Sequence, residues 1–387
     1  MKLKLKLISV AVASLAVAQS SYAVDIKAGD WTVSVGGIVN AYYTQVSCKG
    51  GTVGGLALGS VALGCGGKSN RTVIGNGLLP NGLITSVKSR QGDYDVAATL
   101  GIMAATASDS AIANNSNVDV RQGFFSFGNE SMGTIKLGRD YGLFGSNATL
   151  GDMTLLGTGA PVRATQLNRV SLGHIGAGYS YLGNYGQMVY SSPAMGGAKV
   201  DFALVSPVSN NLGNAPGGNF DSGSTPQVQA QLSYSSSGMK LWIAGKTQKF
   251  DGRTPADRDF TMRGVELGGS YTLGALGILA NVQAGQGLGI LADGDQENVD
   301  SVNYLAQTTY KVTEKMKLGL SYGKSRNRDD LAVNGRLKSN SNVTTGVYYS
   351  ITPSITLSGE LGQTRSKGFD GSSAHMNGAS LGGIFFF

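Results

Sequence analysis

Residues 378–387, at the carboxyl end of the 387-residue chain, read Gly-Ala-Ser-Leu-Gly-Gly-Ile-Phe-Phe-Phe. In a β-strand, residues two apart lie on the same face. One face of this segment carries Leu381, Phe385 and Phe387, and the other carries Ser380, Gly382 and Ile384. A terminal strand with such an apolar face needs either a protein partner or lipid to cover it. The rest of the chain decides between these two covers.

The amino end has the features of a secretory leader. Three lysines precede a short apolar stretch at 7–18, and Ser21-Tyr22-Ala23 supplies small residues at positions −3 and −1 of a cleavage site. This pattern predicts a signal peptide over 1–23 that is cleaved after Ala23. The apolar stretch is too short to cross a bilayer as a stable helix, so the mature domain is expected to span 24–387.

The composition of the mature chain limits the classes of protein that it can belong to. Without the three leader lysines, 28 basic residues stand against 24 acidic ones, and the formal net charge falls from +7 to +4. That balance argues against a nucleic-acid partner, because no basic run with interleaved aromatics accompanies it. The 59 glycines, 16 tyrosines and only 8 prolines are typical of strands and turns. No later segment approaches 18 consecutive apolar residues, so the mature chain is either secreted and soluble or a membrane β-barrel.

Cys48 and Cys65 are the two cysteines of the chain, and both lie in one glycine-rich segment. In an oxidising periplasm, a disulfide that closes this loop is plausible and stabilises the fold by about 3 kcal/mol in the chain-entropy model. Two free thiols are the alternative, because the sequence alone does not place their Cα atoms.

Alternation of apolar and polar residues dominates the mature chain. Residues 227–234, for example, alternate three glutamines and a serine with Val228, Ala230, Leu232 and Tyr234. This period of two predicts strands with one apolar and one polar face. Sixteen such strands are predicted at 30–46, 82–91, 93–105, 118–128, 133–141, 185–192, 197–207, 226–236, 239–249, 261–273, 276–288, 301–312, 315–326, 340–351, 354–366 and 377–387.

Short turns and long polar connections alternate between these predicted strands. The turns fall at 91–92, 129–133, 192–197, 236–238, 273–276, 313–314 and 352–353. The long loops fall at 47–81, 106–117, 142–184, 208–225, 250–260, 289–300, 327–339 and 367–376. An even number of strands of about ten residues, with turns at one rim and loops at the other, is the signature of an outer-membrane barrel whose short turns face the periplasm.

The polar strand faces also favour a membrane barrel over a soluble sandwich. A sandwich must bury the apolar faces in a dry core, whereas a barrel in lipid turns them outward and leaves no unpaired strand edge. The fold expected is therefore all-β: a closed antiparallel transmembrane β-barrel of 16 strands, arranged as an up-and-down meander.

Several segments resemble the sixteen-stranded general porins of Gram-negative bacteria, and the resemblance covers essentially the whole mature chain. Its carriers are Gly29–Gly37, the run from Phe124 to Arg139, the segment Met188–Gly197 and the terminal Phe387. The chain departs from the family in having Met195 where an aromatic residue is common. It also lacks a Pro-Glu-Phe-Gly-Gly motif in the third loop.

The resemblance implies a homotrimer in the bacterial outer membrane, surrounded by lipid and lipopolysaccharide. It also implies a third loop folded into the barrel and no cofactor. The outer-membrane assembly machinery is expected to read the terminal aromatic strand, with Phe385 and Phe387 as its signal. A water-filled channel for ions and small hydrophilic solutes is the function that such a resemblance implies.

A pore selects solutes by its width and by fixed charges at its narrowest ring. Strand parity places Lys88, Arg90, Lys136 and Asp140 on polar faces, and the third loop adds Asp152 and Arg163. Arg121 joins them as a further candidate, although Phe125 and Phe127 share its parity. The hypothesis is a transverse field in which acids of the loop face a basic wall; the alternative is that each charge only decorates a solvated lumen. The +4 balance suggests a slight preference for anions.

Catalytic and metal chemistry find no support in the sequence. His174 and His375 are the two histidines, too few for most metal clusters, and no nucleophile elbow precedes a helical pattern. A general diffusion channel is the leading hypothesis. A substrate-selective channel for small organic anions or other nutrients is the second, and a barrel lipid hydrolase or a secreted binding protein is the third.

Overall fold

The computed structural model describes residues 23–108, 110, 118–210, 219–255, 257–331 and 335–387. The predicted signal peptide lies outside the described residues, except for Ala23. The strands are β1 Val24–Ala28, β2 Trp31–Gly50, β3 Asn70–Gly75, β4 Asn81–Gln91, β5 Tyr94–Ala104, β6 Val118–Asn129, β7 Gly133–Tyr141, β8 Asn184–Ser191, β9 Ala198–Val205, β10 Phe220–Ser222, β11 Gln227–Ser236, β12 Met239–Gly252, β13 Phe260–Leu273, β14 Leu276–Gln286, β15 Asp300–Lys311, β16 Met316–Asn327, β17 Leu337–Ser350, β18 Ile355–Gly368 and β19 Ser373–Phe386.

Sixteen of the described strands pair with their neighbours in chain order and close into an antiparallel barrel, as the sequence predicts. The predicted bounds agree with the observed ones to within four residues; the largest differences are at β2, which ends at Gly50 rather than at 46, and at β19, which begins at Ser373 rather than at 377. Three short strands were not predicted. Of these, β3 pairs with the end of β2 and β10 pairs with the end of β12, so both lengthen the barrel wall beyond the main strands.

The barrel closes where β19 pairs with β2, with Phe385 opposite Val39. Phe387 then exchanges two backbone hydrogen bonds with Gly37, at 2.7 and 3.1 Å. The third unpredicted strand, β1, continues along the same edge of β2, with Val24 opposite Val35. The strand β1 and the carboxyl-terminal residues therefore lie one after the other along the same edge of β2, and both form backbone hydrogen bonds with it.

Side chains alternate between the two sides of the wall as the sequence predicts. On β19, Leu381 is 67% exposed and Phe385 is 42% exposed on the outer face, whereas Ser380 and Ile384 are buried toward the lumen. Closure satisfies the backbone polar groups without leaving an edge, which lipid requires of any strand that crosses it. The apolar face of the terminal strand, with Leu381 and Phe385, thus lies on the outside of the barrel.

Long loops emerge from one rim of the barrel and short turns from the other. Four short helices lie in the described loops: α1 Val61–Gly64, α2 Ser146–Gly151, a 3-10 helix Met153–Leu156, and α3 Arg163–Asn168. Within the described residues, no helix is both long enough and apolar enough to cross a membrane.

The first long loop is joined to the wall by a disulfide between Cys48, near the end of β2, and Cys65, directly after α1. The Cα atoms of this pair are 6.1 Å apart. The half-cystines lie in an apolar cluster inside the barrel with Leu58, Leu172 and Tyr179. The inward faces of the strands are largely polar, and the loops that fold inward bring apolar residues of their own, which pack inside the barrel.

Candidate pore constriction

The third loop, residues 142–183, leaves β7, enters the barrel and returns to β8, as the family resemblance implies. Its first residues are held by side chains of the opposite wall. The N–H groups of Leu143 and Phe144 donate to Gln229 Oε1 at 2.7 and 3.0 Å. The N–H of Gly145 donates to Glu266 Oε2 at 2.8 Å. Polar residues on the lumen faces of β11 and β13 therefore serve as acceptors for loop backbone.

Glu360 on β18 fixes the middle of the loop. Its Oε2 accepts hydrogen bonds from the N–H groups of Thr158 and Gly159 at 2.7 and 2.8 Å. Its Oε1 accepts from the hydroxyl of Tyr348 at 2.6 Å. A Cβ atom at Gly157 would lie only 2.1 Å from Glu360 Oε1, so any other residue there would displace the carboxylate from this position. The carboxylate is 4% exposed and thus acts as a buried anchor.

The returning limb of the loop is attached in the same way. The N–H of Ser180 donates to Gln283 Oε1 on β14 at 2.8 Å, and that of Gly178 donates to Ser325 Oγ on β16 at 3.2 Å. Taken with the anchors on β11, β13 and β18, these bonds tie the loop to one half of the barrel wall. The charged side chains of β6 and β7 lie on another part of the wall, which these anchoring hydrogen bonds do not involve.

Asp152 does not take the position that the transverse-field hypothesis gave it. It is 3% exposed and its carboxylate accepts from Tyr179 Oη at 2.7 Å, lies 3.0 Å from His174 Nδ1 and accepts from the N–H of Thr154 at 2.9 Å. Burial alone would raise the pKa of Asp152, but His174 and these hydrogen bonds outweigh it and hold the pKa below its ordinary value. The residue stabilises the interior of the loop rather than facing a basic wall.

Lys136 and Asp140 of β7 point into the lumen and pair with each other. Their Nζ and Oδ2 atoms are 2.5 Å apart, and Asp140 Oδ1 also accepts from Gln122 Nε2 at 3.0 Å. The ammonium of Lys136 lies 5.2 Å from the centre of the Phe124 ring. Both charged side chains are nearly buried, so the pair adds little net charge to the passage.

Arg121 and Arg169 both bind one carboxylate oxygen, Oδ2 of Asp119 on β6. Arg121 Nε lies 3.2 Å from Asp119 Oδ2, and Arg169, which follows α3 in the loop, contacts the same oxygen through its Nη1. Tyr141 and Tyr181 lie beside the Arg121 guanidinium. The side chains of Arg169 and Asp119 are 37% and 20% exposed, so this cluster of two cations and one anion is open to water.

A bulge places Arg121 in this cluster. The pairing of β5 with β6 shifts register between Gly101 and Ile102, where Gln122 and Val120 are the partners and Arg121 is the extra residue. A bulge re-aims the side chain that it carries. Simple alternation, which groups Arg121 with the outward Phe125, therefore does not apply at this position.

The other basic candidates lie apart from the cluster. Arg90 is at the end of β4 beside a short turn, where it pairs with Asp95 at 3.1 Å and donates to the carbonyl of Gly92. Lys88, two residues earlier, is exposed and also near that rim. Arg163 begins α3, which packs against β3 and α1. The structure therefore does not bring Lys88, Arg90 or Arg163 to the wall of β6 and β7. The candidate charged residues do not form one ring around the pore.

Sequence reasoning missed Asp119 and the loop anchors Gln229, Gln283 and Glu360. Each occupies a polar position in an alternating strand, like many others that have no such role. Alternation does identify their inward face, but their partners lie up to 202 residues away in the chain.

Within the described residues, no group of three or more His, Cys, Asp or Glu side chains is arranged to hold a metal ion.

Comparison with known proteins agrees with this architecture. A sequence model of the Gram-negative porin family matches residues 7–368. The outer membrane channel DcaP of Acinetobacter baumannii is similar in structure, with a TM-score of 0.69 and 16% identity over 94% of this chain and 99% of that one. The anion-selective porin from Comamonas acidovorans gives 0.65 and 14% over 92% and 100%. The trimer form of OmpT of Vibrio cholerae gives 0.55 and 14% over 91% and 99%.

No curated protein sequence shows significant similarity to this chain. The family match nevertheless covers most of the chain, and the barrel, the inward third loop and the closing seam agree with it. The chain belongs to the Gram-negative porin family and forms a passive channel in the bacterial outer membrane.

Proposed function

We propose that this channel is narrowest where the third loop faces β6 and β7, and that Arg121, Asp119 and Arg169 give the narrowing a slight preference for small anions. The observation that carries the proposal is the partial exposure of a cluster with two guanidinium groups and one carboxylate. Lys136 and Asp140, which neutralise each other, border it on the neighbouring strand. A net charge of one cation at a narrow ring attracts anions and repels cations over a few ångströms.

The test is the reversal potential of single channels in a potassium chloride gradient. Arg121→Gln and Arg169→Gln should each move it toward cation preference, with the permeability ratio changing by up to about fivefold for one charge near 4 Å in water. Arg139→Gln is the matched control, because Arg139 lies on β7 with its side chain on the opposite, exposed face. Equal reversal potentials for all three variants would show that the cluster does not lie at the constriction.

A substrate-selective channel for small organic anions is the second candidate. Two guanidinium groups beside one another favour bidentate binding of a carboxylate or phosphate, so the same cluster supports it. Millimolar additions of small carboxylates to one side of the bilayer separate the two. A general diffusion channel keeps its open-channel current, whereas a selective one shows brief blocks that Arg121→Gln abolishes.

The homotrimer and the export route belong to this proposal as well. The outer wall is broadly apolar, and a similar porin, OmpT of Vibrio cholerae, has been solved in a trimer form. Unheated samples on denaturing gels should migrate as a trimer that heat converts to the monomer; monomer migration in gentle detergent would contradict it. Sequencing of the mature protein should begin at Val24 if a signal peptide over 1–23 is removed.

The terminal aromatic strand is proposed as the signal for the assembly machinery. Phe385 and Phe387 stack with ring centres 5.7 Å apart, beside the closing seam. Deletion of Phe387 should reduce the amount of folded porin in the outer membrane and leave the selectivity of the remaining channels unchanged. Phe385→Leu is the comparison variant, since it keeps the terminal residue and its backbone hydrogen bonds with Gly37.

A further inference from the structure

The sixth long loop, residues 287–299 between β14 and β15, folds into the mouth of the barrel. Apart from Asn298, each of its residues is buried or half-buried. The carboxylate of Asp295 accepts hydrogen bonds from the N–H groups of residues 290–292, at 2.7 to 2.9 Å, which makes the tip of the loop compact. Such burial sets this loop apart, because connecting segments ordinarily run over the surface of a protein.

A buried ion pair fastens the tip of the sixth loop to the wall. Asp293 Oδ1 lies 2.5 Å from Lys246 Nζ on β12, and each side chain is 1% exposed. Asp293 Oδ2 accepts hydrogen bonds from Tyr185 Oη on β8 and Gln227 Nε2 on β11, both at 2.9 Å. The Lys246 ammonium also lies 4.8 Å from the centre of the Phe144 ring, near the start of the third loop. Since β9 and β11–β13 lie between β8 and β14 in the wall, the sixth loop crosses part of the barrel mouth to reach these partners.

The other side of the tip packs against the first long loop. Ile290 lies in one apolar cluster with Val53 and Leu56 of that loop. Leu337 and Ala374, at the loop ends of β17 and β19, belong to the same cluster. These two strands follow β15 in the wall, whereas β8 precedes β14. The sixth loop therefore joins parts of the wall that lie on either side of its own origin.

Both limbs of the third loop are in contact with the sixth loop. On the returning limb, the N–H of Tyr181 donates to the carbonyl of Ile290 at 3.4 Å. A Cβ atom at Gly176 would lie 2.2 Å from Ile290 Cγ2, so the two loops are closely packed there. On the outgoing limb, Phe144 shares an apolar cluster with Leu288. The sixth loop therefore restricts movement of the third loop at two separate places.

A chain of side-chain amides joins the ion pair to the start of the third loop. Gln227, which donates to Asp293, accepts a hydrogen bond at its Oε1 from Gln229 Nε2. Gln229 Oε1 in turn accepts from the N–H groups of Leu143 and Phe144. A displaced Asp293 would leave one N–H of Gln227 without its acceptor, and buried amides need such partners. The anchoring of the third loop thus depends on the position of the sixth.

We propose that the sixth loop is a clamp that holds the third loop in the position that narrows the channel, and that Lys246 and Asp293 are the positioning residues that lock it. Either charge without its partner would be buried and uncompensated, which is costly, so the loop would move to let water reach it. The third loop would then lose its contacts with Ile290 and Leu288, and the passage beside it would widen. This inference rests on the proposed narrowing by the third loop, but not on the charge of the cluster on β6.

A role of the ion pair in stability alone is the alternative that the experiment must exclude. Neutral sugars separate the two roles, because their passage depends on the width of the channel and not on its charge. A role in stability alone would change the melting temperature and leave the size limit for sugars unchanged.

The experiment compares the parent with K246D, with the charge swap K246D/D293K and with the control R336D. K246D places two carboxylates at the lock, whereas the swap restores opposite charges with the same pair of side chains. R336D makes the same kind of change at the exposed pair of Arg336 and Asp330, in the loop between β16 and β17. The measurement is the rate of swelling of porin-containing liposomes in neutral sugars of increasing size. We expect K246D to shift the size limit to larger sugars, and the swap and the control to keep the limit of the parent.

An unchanged size limit for folded K246D would overturn the proposal. An equal shift in R336D, or a swap that behaves like K246D, would overturn it as well. Where K246D does not reach its heat-modifiable folded form, I290S/L291S takes its place. This variant weakens the apolar attachment of the tip and should shift the size limit in the same direction; an unchanged limit would again overturn the proposal.

Glu360→Ala distinguishes failure of the clamp from failure of the proposed narrowing. It frees the middle of the third loop from β18 and leaves the contacts of the sixth loop in place. A shift of the size limit in Glu360→Ala but not in K246D would retain the narrowing by the third loop and reject the clamp. No shift in either variant would reject both.

Discussion

Two regions of the lumen wall carry the same kinds of polar residue and behave differently. On β11–β18, Gln229, Gln283 and Glu360 are buried, and their oxygens accept hydrogen bonds from the backbone of the third loop. On β6, Asp119 keeps part of its surface in water and is shared by two arginines. An inward polar residue of this barrel is therefore an anchor where the third loop packs against it, and a pore residue where the loop leaves it open to water.

Removal of the Glu360 carboxylate, which anchors the third loop to β18, should lower the stability of the porin more than the other changes described below. Glu360→Ala leaves the N–H groups of Thr158 and Gly159 and the hydroxyl of Tyr348 without their acceptor. Loss of one partner from a buried polar cluster costs roughly 3–5 kcal/mol. The loop should leave the wall, so that bilayer recordings show altered, noisier conductance and the heat-modifiable form melts at lower temperature. Glu314→Ala, in an exposed turn, is the control and should change neither.

Removal of the disulfide tests how much the first long loop contributes to the stability of the barrel. Cys48→Ser with Cys65→Ser opens a link with a sequence separation of 17 residues, and we expect a loss of about 3 kcal/mol in the free energy of unfolding. Heat denaturation of the folded porin measures it. A reductant should lower the stability of the parent to that of the double variant and leave the variant unchanged; an equal drop in both would point to a cause other than the disulfide.

The substitution Asp119→Asn tests whether the water-exposed cluster on β6 sets the ion selectivity of the pore. This change removes the one carboxylate between Arg121 and Arg169, so the local charge rises by one unit and anion preference should increase, with a change in permeability ratio of up to about fivefold. Asp221→Asn serves as the control because Asp221 pairs with Arg253 at an exposed position between long loops. A shift toward cations, or equal shifts in both variants, would contradict the assigned position of the constriction.

The smallest effect concerns the interior of the loop at low pH. The pKa of Asp152 is lowered in the folded protein, so its contribution to stability is present above its ordinary value of 3.8 and is lost as the pH falls through the folded value. Proteolysis of the loop should therefore be faster at pH 3 than at pH 6. Asp152→Asn should be cleaved at a rate that depends less on pH; an unchanged pH dependence would assign the effect to another carboxylate.

The features that depend on neighbours along the chain could be predicted from the amino-acid sequence. Period-two alternation gave the inward and outward faces of the strands, and the alternation of turns and loops gave the sixteen-stranded meander, because both are local properties of the backbone. The closed meander expected from the sequence requires the last of the sixteen strands to pair with the first, and β19 does pair with β2.

The contacts between inward residues could not be predicted from the sequence and are known from the folded structure. Asp152 turned to His174 and Tyr179, and Glu360 received the backbone of a loop about 200 residues earlier in the chain. Arg121 depended on a bulge that has no signature in its own segment. Such contacts escape sequence analysis because burial and hydrogen-bond satisfaction depend on distant segments, which meet only after the barrel closes and its loops fold inward.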